Sequence, residues 1–245
     1  MKAGLAPKTI LVDFEKAVMS VIQAEFPLTE IQGCNFHFCQ CIMRHVSLAG
    51  LKTHYEKDAD FALRMRHLAA LAYVPPDKVV EAFETLLDAD VLPPEAADLV
   101  NYFEDTWIGR PHRRGRRAPK FAIQLWNCYT AGKGAMPKTN NAVEGWHTGF
   151  EATLDAVHPN IYKFVEALHR EQATAEANAE FVIAGQPLPK KKKVYFDMAA
   201  RIKSLVNNFS EDAEEITASD DDENDEFSNP MLRYLRGLAQ NISYG

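Results

Sequence analysis

Hydrophobic positions fall into two modes along this chain: short apolar runs near the start, then a long region with helical spacing. Thr9 to Phe14 (TILVDF) is a β-branched apolar run broken by Asp13, the pattern of a buried strand. Phe14, Val18, Val21, Ile22 and Ala24 then recur at helical spacing until Pro27, because a residue before proline is biased away from the α region. Ile31 to Phe36 (IQGCNF) reads as a second short strand.

From His37 to Gly109 the pattern is helical almost throughout. Segments are expected to about Leu48, from Phe61 to Tyr73, from Asp77 to Leu87 and from Pro94 to Trp107. Pro75-Pro76 and Pro93-Pro94 punctuate them where a first-turn proline is tolerated. Arg110 to Arg117 (RPHRRGRR) shows no periodicity and reads as a loop. A helix is expected from Asn141 to about Leu154 and a longer one from about Asn160 to Ala184. Beyond it come a lysine-rich linker, a short amphipathic helix from Phe196 to Phe209, an acidic run and a last helix from Pro230 to Ile242.

These elements predict a mainly α chain with a small β part: one domain over 1–184, with helices filling about 38–138, and a tail over 185–245. Charge changes that picture in two places. The net charge of -7 comes from Glu211 to Glu226, which holds ten acidic and no basic residues and is expected to be disordered. The other 229 residues carry 27 basic against 24 acidic groups, about +3. Thr106 to Val143 holds eight Lys or Arg and no Asp or Glu, a local field that attracts polyanions.

Within it Arg110, Arg113, Arg114, Arg116, Arg117 and Lys120 are the nucleic-acid-binding candidates, with a solvated loop as the plain alternative. Pro189 to Val194 (PKKKKV) has the composition of a nuclear import signal; otherwise a cytoplasmic chain is expected. No apolar stretch approaches membrane-spanning length. Cys34, Cys39, Cys41 and Cys128 are read as reduced thiols, three of them being crowded within eight residues.

Asp13, at a strand end, and Glu144, near the first turn of a later helix, are the candidate catalytic and metal-binding carboxylates, since hard divalent ions take oxygen ligands. Each has a plain alternative: Asp13 as a helix N-cap, and Glu144 closing a capping box with Asn141. Cys34-x-x-His37 offers two zinc ligands, but Cys39 and Cys41 cannot both face them from one helix, so zinc is disfavoured. His147 lies one turn after Glu144, on the same helix face. Trp126 and Trp146 are read as packing residues.

Seven stretches carry a family resemblance: LVDFEKA from Leu11, GCNFHFCQ from Gly33, LAYVP from Leu71, YFEDTWIG from Tyr102, LWNCY from Leu125, TNNAVEGWH from Thr139 and HPNIYKFVEALHREQ from His158. In this order, over about 165 residues, they resemble the landmarks of Mutator-like (MULE) transposase catalytic domains. The resemblance implies the C-terminal part of an RNase H-like fold with a large helical insertion, and DDE-type DNA strand cleavage and transfer using Mg²⁺ or Mn²⁺. It places the second catalytic acid at Asp13, the third at Glu144, and the Cys34/His37 signature close to the site.

The chain departs from the family pattern in one respect. Twelve residues precede Asp13 and none is acidic. The first carboxylate, and with it the first three strands of the sheet, is therefore expected to be missing, and the chain alone to be inactive. The expected partner is DNA, with a homo-oligomer as a further partner and no membrane. The alternative is a non-enzymatic nuclear DNA-binding or interaction protein derived from a transposon.

Overall fold

The computed structural model describes residues 6–113, 115–134, 150–154, 159–185, 193–215, 229–242 and 244, with the backbone alone at 193–196 and 210–215. It is mostly helical with a small strand content, as the hydrophobic pattern predicts. The chain divides into two compact units, Met1–Thr139 with Asp197–Gly245, and Asn140–Phe196. Among the described residues, those from Asp197 onward group with the first unit.

The first unit opens with β1 (Thr9–Val12), α1 (Lys16–Glu25) and β2 (Glu30–Gly33). β1 and β2 pair in parallel with Thr9 opposite Glu30 and Val12 opposite Gly33. A parallel pair requires a crossover, and α1 supplies it. The second strand is shorter than the sequence pattern indicates. It stops at Gly33, because Cys34 in extended conformation is the N-cap of α2 (Asn35–Leu48), which buries Phe38, Cys39, Ile42 and Val46 on one face. Asn35 and Phe36 therefore belong to the helix.

Three further helices follow, α3 (Lys52–Lys57), α4 (Ala59–Ala70) and α5 (Val79–Asp88), of which α4 and α5 build the core. Asp58 caps α4 by accepting from the N–H groups of Asp60 (2.9 Å) and Phe61 (3.1 Å), which satisfies two donors the first turn leaves open. The stretch from Pro94 tightens into a 3-10 turn, continues as α6 (Ala97–Phe103) and widens into a π turn at Glu104–Ile108. A two-residue-per-strand hairpin, β3 (Pro111–His112) and β4 (Gly115–Arg116), and the short helices α7 (Ile123–Trp126) and α8 (Tyr129–Gly132) complete this part.

In the second unit, residues 150–154 are helical and α9 spans Ile161–Ile183, capped by the Asn160 side chain accepting from the Lys163 N–H. Phe150, Leu154 and Ala167 form its small described core. α10 (Lys193–Glu215) carries Ile202 and Val206 into the core of the first unit, and α11 (Pro230–Gln240) adds Leu232, Leu235 and Leu238. The acidic run expected to be disordered is helical over its first five residues, 211–215. Among the described residues no helix is long and apolar enough to cross a membrane.

His67 is buried on α4, with Nδ1 2.9 Å from the Leu63 carbonyl, and burial lowers its pKa to about 4. Arg64 and Arg236 add to the shift. Because the folded pKa lies below the unfolded value of about 6.5, only the unfolded chain takes up this proton between those pH values. Stability contributed by neutral His67 is therefore present above about pH 6.5 and is lost as pH falls toward 4. Lowering the pH from 7 to 4.5 is expected to cost about 2–3 kcal/mol in urea unfolding, and His67→Gln to remove most of that loss. Asp58, held below the usual carboxylate range by the Phe61 N–H, titrates lower and leaves this window clear.

Candidate functional site

Parallel pairing brings the C-terminal ends of β1 and β2 together, and the Cys34 N–H donates to the Val12 carbonyl at 2.8 Å across that edge. Ligand sites in open parallel sheets sit at this edge. Phe14 turns inward, its ring meeting Trp107 at 4.9 Å and Phe121 at 5.2 Å. Asp13, one residue earlier, faces outward with half of its side chain exposed. Its Oδ1 lies 2.9 Å from Nδ1 of His37, on the first turn of α2, and the contact is an ion pair when the imidazole is protonated.

The N-cap position of α1 is Glu15, whose side chain makes no cap bond. The approach of the two strand ends depends on Gly33. A Cβ there would meet the Phe14 ring at 2.6 Å and the Leu125 carbonyl at 3.0 Å. Gln32 ties the same edge to the chain beyond, donating to the carbonyls of Leu125 (3.1 Å) and Asn127 (2.8 Å).

Cys34 and His37 stand in different surroundings. Cys34 is fully buried, whereas His37 reaches Asp13 at the surface. Cys39 is also buried; desolvation, with Cys128 and Cys34 nearby, pushes its thiol well above its ordinary range and so keeps it protonated. Among the described residues no three His, Cys, Asp or Glu side chains are grouped to hold a metal ion. Glu144, His147, Arg114 and Trp146 lie outside the described residues, as does the lysine run through Lys192.

The arginine segment is a hairpin rather than the expected loop, and two of its guanidiniums are engaged within the fold. Arg110 pairs with both Asp105 oxygens, at 2.5 and 3.0 Å. Arg116 bridges Glu84 at 2.7 Å and Glu104 at 2.9 Å and donates to the Gly109 carbonyl. The acids lie just upstream of the acid-free stretch or across the fold on α5, beyond the reach of a local charge count. Gly109 makes the hairpin possible: its φ is +89°, and a Cβ there would overlap the Arg117 carbonyl oxygen at 1.9 Å. Arg113, Arg117 and Lys120 remain exposed.

Trp126 is a core residue, stacked on Phe38 at 4.8 Å with an interplanar angle of 10°. The chain therefore presents an exposed carboxylate beside an imidazole at a parallel strand edge, together with a hairpin whose ion-paired base leaves other cations in solvent. No protein-family model, no curated protein and no solved structure matches the chain.

Proposed function

We propose that this chain is the C-terminal part of an RNase H-like, DDE-type DNA transposase catalytic domain resembling the MULE family. The observation that carries the reading is Asp13, exposed at the C-terminal edge of a parallel β–α–β unit and in contact with His37 of the Cys-x-x-His motif. Glu144 is the second carboxylate in this reading. The helices between α2 and α8 are the insertion that separates the two acids in sequence.

Asp13 suits Mg²⁺ or Mn²⁺ because it is a hard oxygen donor, half exposed, which leaves room for the waters such ions retain. The remaining ligands must come from Glu144 and from a carboxylate outside this set. When bound, the metal supplies charge stabilisation at the phosphate and a more acidic attacking water or hydroxyl. His37, with Nδ1 2.9 Å from Asp13 Oδ1, balances the charge of that oxygen when protonated and leaves the other oxygen for the metal. The exposed arginines grip the DNA backbone, which positions the duplex without reading sequence. Nuclear import through Pro189 to Val194 belongs to the same reading.

The hairpin separates four of the six basic candidates into two kinds. Arg110 and Arg116 hold the hairpin, and Arg113 and Arg117 meet phosphate. Arg113→Ala and Arg117→Ala are each expected to shallow the slope of log affinity against log salt for duplex DNA by about 0.9, the value of one lost phosphate contact. Arg116→Ala is expected to lower the melting temperature while leaving that slope unchanged in the folded fraction. Titration of labelled duplex at several salt concentrations gives the answer. A wild-type chain that forms no complex at low salt would sink the DNA reading.

A further inference from the structure

A cleft of about 460 Å³ opens between α1, the start of β2 and the segment from Lys120 to Leu125. Its floor is apolar, from Met19, Ile31, Phe121 and Leu125, while its walls carry cations from two separate elements. Lys16 comes from the first position of α1, and Lys120 lies with its ammonium 5.4 Å from the Phe121 ring centroid. Gln23, Gln124 and Glu30 add amide and carboxylate groups, which together present donors and acceptors.

We propose that this cleft takes one unpaired nucleotide of a DNA strand, its phosphate between Lys16 and Lys120 and its base on the apolar floor. The inference rests on the DNA reading above and goes beyond it. The volume suits a base with its sugar and excludes a duplex, and an apolar floor that covers one face of the base, with cations beside it for the phosphate, holds a single strand without reading its sequence. A base edge needs both donors and acceptors, which explains a carboxylate among the lysines. The chain order supports a strand over a free nucleotide: Lys120 closes the basic segment that begins at Arg110, and Lys16 lies three residues after Asp13. The cleft is thus lined by residues that closely follow, along the chain, the phosphate-gripping hairpin on one side and the candidate catalytic carboxylate on the other.

The test uses the full chain, a short fluorescein-labelled oligothymidylate, the same sequence as a duplex, and free thymidine monophosphate. No residue of α1 is buried, so Met19→Glu and Lys16→Gln leave the core intact. Both variants are expected to weaken oligothymidylate binding by about tenfold and duplex binding by less than about twofold. Equal loss on both probes, or no loss on the single strand, would overturn the proposal. So would thymidine monophosphate binding as tightly as the oligonucleotide. If duplex binding responds to Arg113→Ala while the single strand ignores Met19→Glu, the cleft assignment alone fails; if wild type binds neither probe, the DNA reading falls with it.

Discussion

Deleting residues 229–245 is expected to unfold the first unit, although these residues lie at the far end of the chain. α11 packs against α4 and buries Leu232, Leu235 and Leu238, with Ile242 beyond it. Each such side chain contributes about 1.5–3 kcal/mol when buried, so the four amount to roughly 6–12 kcal/mol, against a total stability of about 5–15 kcal/mol for a domain. Two phenols reinforce the contact. Tyr234 donates to the Tyr73 carbonyl at 2.6 Å, just past the end of α4, and Tyr244 donates to the Met65 carbonyl at 2.9 Å. Burial pushes both phenols above their ordinary range, so they stay protonated donors. Loss of a cooperative thermal transition in the truncated chain is the expected result; a sharp transition near the wild-type temperature would show that α11 is dispensable.

Trp126→Ala is expected to destabilise the same unit by about 3–5 kcal/mol in urea unfolding, the range for deleting a large buried ring. The indole stacks on Phe38 and meets Phe103 at 6.3 Å and Trp107 at 6.2 Å, edge to face. Its Nε1 is buried and has no hydrogen-bond partner among the described residues. Trp126→Phe should therefore cost less than Trp126→Ala, because it keeps a ring against Phe38 and removes a donor that the fold does not satisfy. An alanine variant as stable as wild type would remove Trp126 from the core account. The effect reaches the candidate site through packing, since Trp107 touches both Trp126 and Phe14, the residue that turns Asp13 outward.

How far such features can be read from sequence depends on their range. The longer helices follow from apolar spacing and paired prolines, which are local signals, and Phe38, Ile42 and Val46 at four-residue intervals mark the buried face of α2; the short helices α3, α7 and α8 carry no such signal. The end of β2 differs from the apolar pattern because Cys34-Asn35-Phe36 continues an apolar run while its backbone is already the cap and first turn of a helix. Longer-range features were hidden. Nothing near Arg116 in sequence indicates Glu84, 32 residues away, and nothing in the acidic run indicates that the helix after it returns to Tyr73, 161 residues from Tyr234. At the site, Asp13 and His37 were both singled out, but their 2.9 Å contact required the parallel register that places the two strand ends side by side.

In the proposed transposase reading, Asp13 and Glu144 share a divalent cation. Iron(II) with ascorbate and peroxide cuts a polypeptide beside the metal it occupies, and this readout is independent of strand-transfer activity. Cuts in the full chain are expected near residue 13 and near residue 144, suppressed by excess Mg²⁺ or Mn²⁺ and both lost in Asp13→Asn. Cuts scattered along the acidic run alone, or cuts at 144 that persist in Asp13→Asn, would contradict it.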